Sequence, residues 1–181
     1  GETATFSAFD SLTGAAQDDR FEVANGATAV PVSIDGGAAA TTNTLAGNNT
    51  GSTYTITDSD IGTLTVPALT ILAFTSIGSL EGGTGADNFT FDVAGLLSGT
   101  IDGGVGGGNT ITGDVNGNTF AVIGGANTGT INNGLGPVGF QRVQNLNGGA
   151  GVDVFAISDR LDGSIDAGAD ADSITLNAAA D

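Results

Sequence analysis

Apolar residues in this chain come in short runs that alternate with polar partners, as in Thr53-Tyr54-Thr55-Ile56-Thr57 and Asn88-Phe89-Thr90-Phe91. A period of two puts every second side chain on one face, so each run predicts a half-buried β-strand. Thr, Val, Ile and Phe at these positions suit a pleated surface. Between the runs stand clusters of Gly, Asn and Asp, which supply positive φ and side-chain-capped turns where the chain changes direction. With 32 glycines among 181 residues and no 3.6-residue apolar spacing between them, helix is disfavoured.

The runs keep time. Leu12, Ile34, Ile56, Leu80, Ile101, Val122, Leu146 and Ile165 fall 22, 22, 24, 21, 21, 24 and 19 residues apart. Three such steps make a longer unit: Phe6, Phe9 and Leu12 return as Phe74, Ile77 and Leu80, 68 residues on, and as Phe140, Val143 and Leu146, a further 66 on. Asp19, Asp87 and Asp153 each stand two residues before a Phe, and Ile34-Asp35-Gly36-Gly37 is answered by Ile101-Asp102-Gly103-Gly104 and Ile165-Asp166-Ala167-Gly168. Tyr54-Thr55-Ile56 is answered by Phe120-Ala121-Val122. The chain therefore divides into copies at 6–73 and 74–139 and a partial copy at 140–181, about 2.7 copies within one domain, 1–181.

A chain that returns to the same place at this interval predicts an all-β fold, a right-handed parallel β-helix (β-solenoid) of about eight coils of roughly 22 residues, each coil hydrogen-bonded to the next at about 4.8 Å. Like residues would stack over like, with Leu, Ile and Val in one row and Phe21, Phe89 and Phe155 in another. An antiparallel sandwich is the alternative fold, and it would show turn signals roughly every 8 to 12 residues without a long-range repeat. The third copy stops at Asp181, 41 residues after Phe140. The expectation is a slice of a longer protein, or end coils that meet another copy head to tail.

Composition narrows the partners. The only cations are Arg20, Arg142 and Arg160, set against 20 acids for a net charge of −17, which repels nucleic acid and anionic lipid. The hydrophobic fraction of 39% is too high and too regularly placed for a disordered acidic tail. No apolar run approaches the roughly twenty residues of a membrane span. The chain opens at Gly1 without a charged and apolar leader, as expected of a secreted chain whose targeting segment is removed or lies elsewhere.

The most specific chemical signal is a glycine and aspartate corner. Gly82-Gly83-Thr84-Gly85-Ala86-Asp87-Asn88-Phe89 and Gly148-Gly149-Ala150-Gly151-Val152-Asp153-Val154-Phe155 both read GGxGxDxF, and the segment from Ala167 through Gly168, Asp170 and Asp172 to Ile174 is a near match. The corner from Gly103 to Gly108 keeps its glycines but has Gly108 where Asp belongs, and Gly14 to Asp19 retains only the first Gly and the Asp. These corners resemble the nonapeptide of the RTX calcium-binding family. The resemblance implies Ca²⁺ held between successive coils by loop carbonyls and the closing Asp, hard oxygen ligands that suit that ion. Carried onto this chain it points to Asp153, Asp172, Asp170 and Asp87. In that family the ions are shared between loops closely spaced in sequence, and here only Asp153 and Asp172, 19 residues apart, come near that spacing. The plainer reading is structural, with Gly turning the chain and Asp capping the turn by accepting backbone N–H bonds.

Taken whole, residues 6–176 resemble the repeat regions of large secreted bacterial adhesins of the filamentous-haemagglutinin-like type. The matching phrases are Phe140 to Phe155, Leu161 to Gly168 and Asn109 to Ile111. The resemblance implies a secreted β-helical stalk or fibre concerned with adhesion, biofilm or surface coating at the bacterial cell surface. Its partners would be other copies, joined by end-to-end coil stacking, or carbohydrate and host or cell surfaces, with no nucleic acid and no membrane insertion.

Two other functions need weighing. Parallel β-helices also host polysaccharide-cleaving enzymes, and paired carboxylates can hydrolyse glycosides. The clusters Asp159, Arg160, Asp162 and Asp18, Asp19, Arg20 are the local groups of both signs, and a salt-linked surface turn accounts for them. Thr-rich strands also occur in ice-binding solenoids, which need a regular Thr-x-Thr array on one face. At a 22-residue step, Thr63-Leu64-Thr65 and Thr53-Tyr54-Thr55 are not expected to align. The sequence thus favours a non-enzymatic, acidic structural module that needs no cofactor, with a calcium-loaded surface or S-layer-like module second and a polysaccharide-acting β-helix third.

Overall fold

The computed structural model describes residues 10–30, 32–38, 42–69 and 71–177. Phe6 and Phe9, which open the first copy, lie outside them. The described chain is all-β with no helix, and its strands form two mixed nine-stranded sheets. The chain crosses from one sheet to the other at almost every corner. Strands β1 (Ser11–Thr13) and β3 (Ser33–Asp35) belong to the first sheet, and β2 (Arg20–Glu22) and β4 (Thr44–Ala46) to the second. Next β5 (Thr53–Asp58), β6 (Ile61–Thr65) and β7 (Leu72–Thr75) form an antiparallel meander within the first sheet. Alternation resumes with β8 (Ser79–Glu81), β9 (Asn88–Phe91), β10 (Thr100–Asp102) and β11 (Thr110–Thr112). A second meander, β12 (Thr119–Val122), β13 (Gly129–Asn132) and β14 (Pro137–Gln141), lies in the second sheet. The chain then finishes with β15 (Asn145–Asn147), β16 (Val154–Ile157), β17 (Ile165–Asp166) and β18 (Ser173–Leu176).

The strand orders are β1-β3-β7-β6-β5-β9-β11-β15-β17 and β2-β4-β8-β10-β14-β13-β12-β16-β18. Each meander plus the four single strands after it makes an odd number of crossings, so successive copies start on opposite sheets. Tyr54 and Phe89 stack in the first sheet with ring centroids 5.0 Å apart, and their counterparts Phe120 and Phe155 stack in the second at 4.9 Å. The long repeat therefore exchanges the two sheets from one copy to the next.

The parallel β-helix expected from the sequence is met only in part. Leu12 pairs with Ile34, Leu80 with Ile101 and Leu146 with Ile165, each in parallel register. Ile34, however, pairs with Phe74 and not Ile56, and Ile101 with Phe140 and not Val122. The uniform tick fails there because a meander fills three ladder places where a simple coil fills one. A hairpin strand has the same period-two pattern as a coil strand, so the tick cannot separate them. Ser59 and Asp60 turn the first hairpin, and Asp60 takes a positive φ of 57°, a conformation Asp tolerates because its short side chain can bond locally.

A single core is shared by both sheets. Tyr54, Phe74, Phe89 and Ile111 reach it from the first, and Leu45, Leu80, Phe120 and Phe155 from the second. The one polar atom that Tyr54 carries into it donates from its hydroxyl to the Glu81 carbonyl across the core at 2.5 Å. Burial without that bond would be unfavourable.

Candidate functional site in the glycine and aspartate corners

Each GGxGxD corner folds its Asp back under its first Gly. A Cβ on Gly82 would lie 2.4 Å from Asp87 Oδ2, and one on Gly148 would lie 2.4 Å from both Asp153 Oδ2 and the Ala167 carbonyl. Only glycine leaves room for the carboxylate at that point. Asp87 is fully buried: Oδ1 accepts the Ser52 N–H at 2.7 Å and Oδ2 accepts the Gly83 N–H at 3.0 Å. Asp153 is equally buried, and its Oδ1 accepts from Asn118 N–H at 2.6 Å and from Asn118 Nδ2 at 3.0 Å.

These contacts belong to a relay that crosses from strand to strand. The Asp87 N–H donates to Asn109 Oδ1 at 2.9 Å, and the Asn109 N–H donates to Gln144 Oε1 at 3.0 Å. On the other sheet the Asp153 N–H donates to Asp172 Oδ1 at 2.9 Å, and near the first strands the Asp19 N–H donates to Asn43 Oδ1 at 2.9 Å. Asp, Asn and Gln interchange because the position asks only for a side-chain oxygen acceptor. The drift of the Gly103–Gly108 corner is thereby explained: Asn109, one residue further on, fills the acceptor's place and is itself buried.

Burial dominates the ionisation of both corner acids. It pushes the Asp87 carboxyl up, against the opposing bonds from Gly83 and Ser52. It also pushes the Asp153 carboxyl up, against the Asn118 bonds, with the neighbouring Asp172 and Asp114 charges adding to the rise. Neither acid has a cation beside it in the arginine pairings, since Arg20 is tied to Glu22 and Glu81, Arg142 to Asp102 and Arg160 to Asp162.

No family model, curated protein or solved structure matches this chain. Its chemistry rests on its own geometry.

Of the four acids singled out by the RTX resemblance, Asp153 and Asp172 stand immediately before the neighbouring strands β16 and β18. Asp170 is exposed beside them, with Oδ2 accepting the Gly151 N–H at 3.2 Å, and Asp87 belongs to a separate corner. Among the described residues no group of three or more Asp, Glu, His or Cys side chains is placed to hold a metal. At Asp87 both oxygens already have donors, which leaves a poor seat for a cation. At Asp153 the fit is better: Oδ2 is buried without a hydrogen-bond partner, and so is Oδ2 of Asp114. Asn118 ties the two residues together, its Nδ2 reaching the Asp114 carbonyl at 3.1 Å. The motif search passed over Asp114 and Asn118. A signal was available for Asn118, which stands two residues before Phe120 just as Asp87 stands two before Phe89.

The clusters weighed as catalytic are engaged in structural bonds. Asp159 Oδ2 accepts from Gly124 N–H at 2.7 Å and Gly125 N–H at 3.1 Å, and Asp162 Oδ2 accepts from Asn127 Nδ2 at 2.7 Å. Asp19 Oδ2 accepts the Ala15 N–H at 2.7 Å, and Asp18 Oδ1 the Thr42 N–H at 3.2 Å.

Proposed function

We propose that the chain is a structural, non-enzymatic extracellular module: a stiff β-solenoid stalk or self-assembling filament of a bacterial surface adhesin. The parallel coil is interrupted at intervals by meanders that stay within one sheet. The observation that carries this reading is the arrangement of the sheet edges. Among the described residues both sheets begin with their first strands, β1 and β2, and finish with their last, β17 and β18, so each end of the described ladders is a pair of strand edges. Such edges template further strands. Leu12 and Phe21 at one end and Ile165 and Ile174 at the other are both nine residues apart, so a second copy could continue both core rows in register. The experiment is electron microscopy of the purified chain at rising concentration. End-to-end rods of growing length support self-assembly, and discrete single particles at every concentration refute it.

A second reading, a calcium-loaded surface module, is favoured by the two unpartnered carboxylate oxygens of Asp153 and Asp114. These side chains would hold the ion, and its charge would offset theirs. Melting in calcium and in chelator tests it: a higher melting temperature in calcium, lost in Asp114→Asn, supports it, and coincident curves remove it.

A further inference from the structure

We propose that the outer face of the first sheet, from β6 to β15, is an ice-binding surface that docks crystalline water through a two-dimensional array of threonines. The Thr-x-Thr segments dismissed on sequence spacing do align, because the meander brings them together. Thr63 pairs with Thr55, Thr55 with Thr90 and Thr90 with Thr112, giving four threonines side by side on successive strands. Two residues along, Thr65, Thr53, Asn88 and Thr110 form a second row in the same register. Strand β15 extends both rows with Asn147 and Asn145.

Strand geometry sets the array's spacing at about 4.8 Å between strands and about 6.7 Å between rows. Those lengths lie close to the two repeats of oxygen positions on a prism face of hexagonal ice. Thr is suited to such a lattice: its β-branch holds the side chain in few rotamers, and each residue offers a methyl and a hydroxyl at a fixed place. Tyr54, Phe89 and Ile111, fully buried directly beneath, hold the strands rigid. Among the described residues the hydroxyls of Thr55, Thr63, Thr90 and Thr112 bond to nothing in the protein, which leaves them for water.

Charge selects the occupant. The chain carries 20 acids, yet none stands at these positions, and none of its arginines does. The outer face of the second sheet differs, with Arg20, Glu22, Glu81 and Asp102 gathered on β2, β8 and β10. A strongly hydrated ion would hold its own water shell and break registry with a crystal, and positions without charge give a charged partner nothing to pair with. The uncharged face therefore fits a neutral, periodic ligand.

The fold itself does not demand threonine here. In the next copy, on the opposite sheet, the positions of Thr55, Thr90 and Asn88 are held by Ala121, Ala156 and Val154 in the same pairing. At the equivalents of Thr53 and Thr63 the second sheet keeps Thr119 and Thr130, so it is the unbroken row that is a feature of one face.

The test uses ice-affinity capture and inhibition of ice recrystallisation by the whole chain. Wild type is expected to enter a growing ice front and to keep crystals small. Thr55→Tyr and Thr90→Tyr should lose both properties while retaining the wild-type circular dichroism and melting temperature. Thr130→Tyr, on the outer face of the second sheet, should lose neither. Exclusion of wild type from ice overturns the proposal, whatever the variants do. So does equal loss in Thr130→Tyr, and so does binding to crystalline cellulose or chitin with no effect on ice.

Discussion

The same carboxylate is held in two different ways in the two GGxGxD corners. Asp87 uses both oxygens as acceptors, whereas Asp153 uses one, and the difference predicts different responses to the same substitution. Asp87→Asn forfeits the Gly83 bond and should lower stability by about 1 kcal/mol. Asp153→Asn forfeits nothing and removes a buried charge, so denaturant midpoints should leave it unchanged or raise it. Gly148→Ala forces a methyl against Asp153 Oδ2 and the Ala167 carbonyl and should cost about 1–3 kcal/mol in the same assay. The pH response follows from the shifts. Asp87 and Asp153 are raised in the folded state, so their contribution is complete below the ordinary Asp range and is lost as pH rises through their folded values. Asp35 is lowered, chiefly by the Gly37 N–H bond, so its contribution is lost only as pH falls through its depressed value. Melting temperature should therefore rise as pH falls through the folded values of Asp87 and Asp153 toward the ordinary Asp range, and a fall over that interval that persists in Asp35→Asn would contradict the assignment.

At the scale of the element, the strands and their corners were legible in the sequence and the two meanders were not. Leu80 over Ile101 could be read because a coil of constant length repeats its spacing, and the glycine corners could be read because the turn requires glycine. Strand β6 hid because Ile61 to Thr65 alternates like any coil strand, and hydrophobic period carries no direction. Missing it also hid the threonine array, whose rows close only when β6 is turned back beside β5. The corner acids and their capping of the turn could be read, as Asp87 accepting the Gly83 N–H shows, but their burial and the relay to the next strand could not, since those are properties of the folded neighbours. The edge strand β18 yields a test of assembly. Its Ser173 and Asn177 N–H groups bond to β16, which directs those of Ile174 and Leu176 outward. Ile174→Pro removes an outward donor and keeps the inner ladder, a placement that edge strands tolerate. The variant should melt near wild type yet form shorter assemblies by sedimentation.

For the whole molecule, the exchange of sheets between copies and the net charge of −17 set the terms on which the proposed assembly would form. Equal acidic bodies repel over about 8 Å at physiological ionic strength, so added salt should lengthen the assemblies by light scattering. Nine strands at ordinary ladder spacing span about 38 Å, and end-to-end stacking would carry that ladder on without a break. Oriented X-ray diffraction of the concentrated chain tests this most directly. The account predicts a reflection at about 4.8 Å along the long axis of the assembly, because the strands lie across it. A 4.8 Å reflection perpendicular to that axis, or no ordered assembly at all, would contradict it.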